Sequence, residues 1–267
     1  MIHPRIICPN NACKSKPMPV GARFCPFCGS KLVQVFDQDQ MIEDVLWLND
    51  MSLDMVKVEG GEFYLGGKQH LILNDFYIGK YLVTRALWCG VMGEKLHPAK
   101  GKMPMEGISW EMAQAFVHKL NELTNKMYRL PTEAEWEFAA KGGLNTRGYW
   151  YAGGDNLTEL GWFELNSDYE VHEVGLKKPN ELDIYDMSGN VWECCDDAYE
   201  KHAIISKSMN AVWGQSSPTS KVCRGGSCFD WQESAQVEYR RELDPLKVEA
   251  RLGLRLAMNP EFCVIKL

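Results

Sequence analysis

From residue 142 to 258 the sequence is crowded with Gly, Asn, Asp and aromatic residues in short apolar pieces, and no stretch holds a helical period for long. Such a chain cannot hide its apolar surface on helices alone. It needs short strands and long loops pinned by individual side chains. The helix signals come earlier. Thr84 stands where it can cap a helix over Arg85 to Met92. Ser109 precedes a second helix, in which Met112, Phe116, Leu120 and Leu123 fall on one face. After Pro131, Thr132 and Glu135 have capping-box spacing, so a third helix begins there. Met55 to Gly67 alternates apolar and polar residues around Gly60-Gly61, a β-hairpin signal, and Phe76 to Thr84 reads as a further strand. The expectation is an irregular α+β domain over 55–258 with little regular secondary structure, then a tail over 259–267.

The first 34 residues follow a different logic. Cys8 and Cys13 are followed after eleven residues by Cys25-Pro26-Phe27-Cys28-Gly29. Two cysteine pairs joined by a short loop suit tetrahedral zinc, each pair forming one knuckle. The segment has few large apolar side chains, so metal must supply its folding energy. A small structural zinc ribbon over 1–34 is expected, with 35–54 as a linker or short helix. A redox pair at Cys25 and Cys28, or free thiols in a tail, are the alternatives. Four protein thiolates leave no open coordination site, so catalysis is not expected there. The segment resembles zinc ribbons that dock proteins or nucleic acids, a protein partner being the expectation here.

Composition narrows the setting. Apolar residues make up 45% and charged residues 24% of 267, and the net charge is -7. That balance argues against a general nucleic-acid binder, which needs clustered Lys and Arg, although the ribbon itself is basic. No run approaches the roughly 18–20 apolar residues that span a bilayer. The start lacks the apolar core of a signal peptide, so a cytoplasmic, reducing setting with no membrane partner is expected. Of the ten cysteines, Cys89, Cys194, Cys195, Cys223, Cys228 and Cys263 lie among apolar neighbours and read as small buried hydrophobes.

Several segments resemble one family in order along the chain. They are Phe76-Tyr-Ile-Gly-Lys-Tyr81, Ile108-Ser-Trp110, Arg129-Leu-Pro-Thr-Glu-Ala-Glu-Trp-Glu137, Asp186-Met-Ser-Gly-Asn-Val-Trp-Glu193, Arg224-Gly-Gly-Ser227 and Leu252-Gly-Leu-Arg-Leu-Ala257. Together they resemble the formylglycine-generating (sulfatase-modifying factor) family. The resemblance implies a C-type-lectin-like fold of the formylglycine-generating-enzyme type. The Asp186–Glu193 loop reads by itself as a hard-cation loop, with carboxylates at Asp186 and Glu193 and carbonyls at Gly189 and Val191. The resemblance implies a structural calcium on those four residues. The alternative is a metal-free loop pinned by Asn190 and Trp192, its charges paired to Arg or Lys. Arg129, Glu133, Glu135, Arg224 and Arg255 read as structural forks.

In the oxidising enzymes of this family, a cysteine three residues after the Arg-Gly-Gly-Ser serine and another five residues later bind copper. Here those positions are Asp230 and Ala235. No copper is expected, and catalysis is disfavoured. Cys223 and Cys228 straddle the motif instead of following it, and the six histidines show no facial-cluster spacing. The segment after the motif presents Phe229, Asp230, Trp231, Glu233, Tyr239, Arg240, Arg241 and Glu242, a mixture suited to binding a protein or small ligand. Family members of this shape include variable proteins of diversity-generating retroelements, whose variable residues occupy this region. The reading is a non-catalytic ligand- or protein-binding protein. The alternatives are an oxidoreductase acting on peptide cysteine through an unusual site, and a scaffold docking through its ribbon.

Overall fold

Helices start where the capping residues stand. In a computed structural model that describes residues 5–7, 33–35, 53–97, 100–200 and 220–260, Thr84 Oγ1 accepts from Leu87 N at 3.2 Å and opens α1 (Arg85–Met92). Ser109 Oγ accepts from Met112 N at 3.2 Å and opens α2 (Trp110–Thr124). The buried stripe of α2 is Ala113, Phe116, Val117 and Leu120, and Trp88 of α1 stacks on Phe116 at 4.9 Å. Met112 and Leu123, expected on that face, sit at its margins, each 37% exposed. Thr132 and Glu135 make both capping-box bonds and open α3 (Glu133–Ala140), whose eight residues are all buried. Among the described residues, 142–258 holds one four-residue helix, α4 (Leu157–Leu160), and two 3-10 turns.

The chain divides into two compact units, Met1–Met51 and Ser52–Leu267. In the first, β1 (Arg5–Ile7) pairs antiparallel with β2 (Val33–Val35), placing Ile7 opposite Val33. Cys8, Cys13, Cys25 and Cys28, most of the 35–54 segment, and the chain after Pro260 with Cys263 lie outside the described residues.

The second unit carries β3 (Met55–Val58), β4 (Glu62–Leu65), β5 (Gln69–Ile72), β6 (Phe76–Gly79), β7 (Tyr128–Arg129) and, near its end, β12 (Ala257–Met258). The order in one sheet is β3-β6-β12-β7, and β4 pairs with β5 alone. Gly60-Gly61 is therefore not a hairpin turn; the hairpin turns at Gly66-Gly67, both with positive φ. Gly60 serves close approach instead, since a Cβ there would lie 2.2 Å from the Leu73 carbonyl oxygen.

A second sheet has the order β10 (Arg240–Leu243), β9 (Lys221–Arg224), β8 (Trp192–Ala198), β11 (Leu252–Gly253). Its registers pair Glu193 with Arg224 and Arg224 with Arg240; they also pair Cys194 with Cys223 and Cys223 with Arg241. Paired residues share a face and successive residues alternate. One face thus carries Glu193, Cys195, Arg224 and Arg240, and the other carries Trp192, Cys194, Cys223 and Arg241.

The first face meets α3 through buried ions. Glu193 takes a fork from Arg255 at 2.9 and 2.8 Å and a third bond from Trp136 Nε1 at 2.9 Å. Arg224 pairs with Glu137 and donates to the carbonyls of Val237, Glu238 and Tyr239. Arg240 forks onto Glu133 at 2.7 and 2.8 Å, and Arg129 forks onto Glu135 at 2.6 Å. Arg129, Glu133, Glu135, Arg224 and Arg255 make the structural ion pairs expected of them, whereas Arg240, expected on the binding surface, turns to α3. Loops that lack ladder bonds are held by guanidinium–carboxylate forks instead.

A cleft on the open face of the second sheet

The open face of the second sheet forms one wall of a cleft of about 280 Å³. Strand alternation delivers Trp192 and Arg241 to it together, with the guanidinium 4.4 Å from the indole ring. Arg241 Nη2 donates to Glu249 Oε2 at 2.7 Å, and its Nε points at Cys223 Sγ at 3.2 Å. A turn at Gly225-Gly226, both with positive φ, then brings the chain back across the cleft. Asp230 Oδ2 accepts from Trp192 Nε1 at 2.8 Å, from Ser227 N at 3.0 Å and from the Ser227 hydroxyl. Three donors fix this carboxylate in place. Arg251 lies 4.3 Å from the Phe229 ring and donates to Glu106 Oε2 at 2.7 Å, while Arg85 holds the other Glu106 oxygen at 2.9 Å.

Of the residues expected at a binding surface, Phe229, Asp230 and Arg241 line this cleft. Trp231 and Tyr239 are 62% and 41% exposed beyond its lining, and Glu233 sits exposed on a 3-10 turn. Trp192, Ser227, Glu249 and Arg251 also line the cleft, and reading the sequence missed them. Trp192 had a usable signal: it precedes Glu193, and adjacent strand residues face opposite ways. Arg251 and Glu249 lie in a loop with no period to read.

The positions that correspond to the family's cysteines part company here. Asp230 stands in the cleft wall, whereas Ala235 is buried in an apolar cluster with Tyr151, Leu157, Leu160 and Phe163. Cys223 and Cys228 are buried, and burial pushes both thiols up to about 11. Cys194 and Cys195 point to opposite faces, and burial raises both. Thiols in this state are poor nucleophiles. Trp110, expected in the core, is only part-buried, with Lys221 4.1 Å from its ring.

The Asp186–Glu193 loop turns through positive φ at Asp186, Gly189 and Asn190. Asn190 clasps residue 172 through both its amide and its carbonyl at 3.1 Å, and His172 stacks on Trp162 at 3.7 Å. Asp186 accepts from Gly175 N at 2.8 Å, and burial pushes its carboxyl up to about 6. Its other oxygen takes only a long bond from Asn190 Nδ2 at 3.5 Å, which leaves it the better placed of the loop's two carboxylates for a cation. Glu193 fits less well, because Arg255 and Trp136 already occupy both its oxygens. Among the described residues, however, no cluster of three or more His, Cys, Asp or Glu is arranged to hold a metal.

Comparison with known proteins agrees with this architecture. The profile described as the sulfatase-modifying factor enzyme 1-like domain matches residues 48–260. The chain is 30% identical over 265 residues to a protein named chaperone protein LppX from Paenibacillus barcinonensis, covering 78% of this chain and 90% of that one. It is 32% identical to a formylglycine-generating enzyme of Streptomyces coelicolor, over 59% of this chain and 53% of the enzyme. Against the serine/threonine-protein kinase pkn1 of Chlamydia pneumoniae it spans 38% of the relative's length. Among solved structures, Treponema denticola variable protein 1 superposes with a TM-score of 0.61 at 28% identity, over 78% of this chain and 94% of that chain. CarF superposes at 0.62 with 25% identity, over 78% and 99%. PvdO from Pseudomonas aeruginosa, 21% identical, shares the fold at 0.64, over 77% and 94%. No described helix is long and apolar enough to cross a membrane. The chain belongs to the sulfatase-modifying factor enzyme 1-like domain family.

Proposed function

We propose that this chain is a recognition protein whose ligand binds at the cleft walled by Trp192, Phe229, Asp230 and Arg241. One observation carries the reading. Where the oxidising relatives place a thiolate pair, this chain has a hydrogen-bonded carboxylate at Asp230 and a core alanine at Ala235. Aromatic rings and guanidiniums around a concave wall are the usual materials of a binding site. The likeness to Treponema denticola variable protein 1 supports the narrower reading, a variable protein of a diversity-generating retroelement. A neighbouring reverse-transcriptase gene with a near-copy of the last codons, differing mainly at adenines, would establish it.

The test is a peptide-cysteine oxidation assay with and without copper. No turnover is expected. Turnover lost in Cys223→Ser or Cys228→Ser would overturn the reading in favour of an oxidoreductase. Two structural metals belong to the proposal. Zinc is assigned to Cys8, Cys13, Cys25 and Cys28, and metal analysis should find one zinc per chain, lost when Cys25 and Cys28 become serine. Calcium is assigned to the loop of Asp186, Gly189, Val191 and Glu193, with Asp186 as the leading ligand.

A further inference from the structure

The cleft has a charge pattern that narrows its ligand. Its wall carries two guanidiniums, Arg241 and Arg251, and two carboxylates, Asp230 and Glu249, so its formal charge is balanced. Yet the charges are not all used up against one another. Arg251 shares the single Glu106 carboxylate with Arg85, and Arg241 Nη1 and Arg251 Nη2 have no hydrogen-bond partner among the described residues, on side chains that are 34% and 30% exposed. Guanidinium N–H groups that border solvent in a cleft can turn to an acceptor that a ligand supplies. Asp230, in turn, receives its three donors on Oδ2, which leaves Oδ1 uncommitted among the described residues.

A simple anion would satisfy the arginines but leave an extra negative charge beside Asp230, Glu249 and Glu106. A dianion such as phosphate would leave two. A simple cation has the opposite fault. A ligand carrying both charges leaves neither. The volume of about 280 Å³ is that of one small molecule, and the Phe229 ring, 44% exposed, offers a flat apolar surface beside the charged groups.

We propose that the cleft binds a free α-amino acid with an apolar or aromatic side chain. Its carboxylate meets Arg251 and Arg241, its ammonium meets Asp230 Oδ1, and its side chain lies against Phe229. The proposal rests on the cleft being a recognition site and names the chemistry recognised there.

The experiment titrates full-length protein with three probes of one shape, L-phenylalanine, 3-phenylpropionate and 2-phenylethylamine, following tryptophan fluorescence and calorimetry. L-Phenylalanine is expected to bind at least about tenfold more tightly than either single-charge probe, the usual worth of one charged hydrogen bond. In Asp230→Asn, which keeps an acceptor for Trp192 and Ser227, L-phenylalanine should bind no better than 3-phenylpropionate. In Arg251→Gln it should bind no better than 2-phenylethylamine. If Arg251→Gln melts early, Arg251→Lys keeps a charge for Glu106 but loses the fork, and should still weaken L-phenylalanine severalfold. Equal binding of the three probes, or no binding by any, overturns the proposal. Neither result touches the recognition reading, which falls only to turnover in the oxidation assay.

Discussion

The two faces of the second sheet are built from the same kinds of residue and use them in opposite ways. Toward α3, Arg255, Arg224 and Arg240 are matched to Glu193, Glu137 and Glu133; the remaining donors of Arg255 reach backbone carbonyls, and so do those of Arg224 except its buried Nε. Toward the cleft, Arg241 and Arg251 are each tethered by one carboxylate and stacked on a ring, with N–H groups to spare. Arg224 and Arg255 on the first face are fully buried, so losing a partner there is costly. The second borders solvent, and its arginine side chains are 34% and 30% exposed. A fold with few ladder bonds thus uses arginine both as an internal brace and as a recognition group. What separates the two roles is enclosure: Arg224 and Arg255 are fully buried, whereas the cleft arginines keep donors at the border with solvent.

The sharpest way to break this comparison is to replace one arginine from each face. Arg255→Met strips Glu193 of its fork and leaves the carbonyls of Gly79 and Tyr185 without a donor. Removing one partner of a buried pair typically costs about 3–5 kcal/mol. Arg241→Met removes a part-exposed pair with Glu249, so its cost should stay near about 1 kcal/mol. Urea unfolding measures both. Similar losses would mean that the two faces are not energetically distinct.

How much of this was legible in the sequence follows the same division. Capping is local chemistry, so Thr84, Ser109 and the Thr132–Glu135 box marked three helix starts correctly. The braces on Arg129, Arg224 and Arg255 were legible as types, because a loop-rich chain must hold itself by such pairs. Pairing partners were not. Gly60-Gly61 looked like a hairpin turn, but β3 pairs with β6, and only the distant backbone at Leu73 explains the glycine. The cleft was half legible: Phe229, Asp230 and Arg241 lie on or next to a strand or motif, whereas Glu249 and Arg251 reach it from a loop that has no period. Non-local closure leaves no signature at short range.

A second pair of measurements probes a buried carboxylate in the loop that leads into β8, Asp186. The Asp186 carboxyl stands at about 6 in the fold against an ordinary 3.8. The native state therefore holds this proton more tightly than the unfolded chain. The stability from this group is complete below about pH 4 and is lost as the pH rises toward 6, amounting to roughly 3 kcal/mol for a shift of about two units. Without calcium, Asp186→Asn should be more stable than the parent at pH 7 and equal to it near pH 4. Asparagine also tolerates the left-handed backbone at that position. With calcium the sign should reverse, because the variant loses a ligand oxygen charge. A variant that is destabilised at pH 7 without calcium would remove the argument from uncompensated burial. No change of sign on adding calcium would remove the assignment of the ion to Asp186.

The smallest expected effect uses cysteine, present on both faces at neighbouring positions. Cys195 faces α3 in the apolar core beside Trp136 and Val222. Cys195→Ser places a hydroxyl where no donor or acceptor is set out for it, at a cost of about 1–3 kcal/mol. Cys223 faces the cleft with Arg241 Nε pointing at its sulfur from 3.2 Å, and its thiol approaches the Arg241 carbonyl at 3.5 Å. Cys223→Ser offers both groups a hydroxyl partner, so its stability should stay within about 0.5 kcal/mol of the parent. Equal penalties for the two serines would show that the cleft side of the sheet is as dry as the helix side. The spare donors of Arg241 and Arg251 would then be strain in the fold and not provision for a ligand.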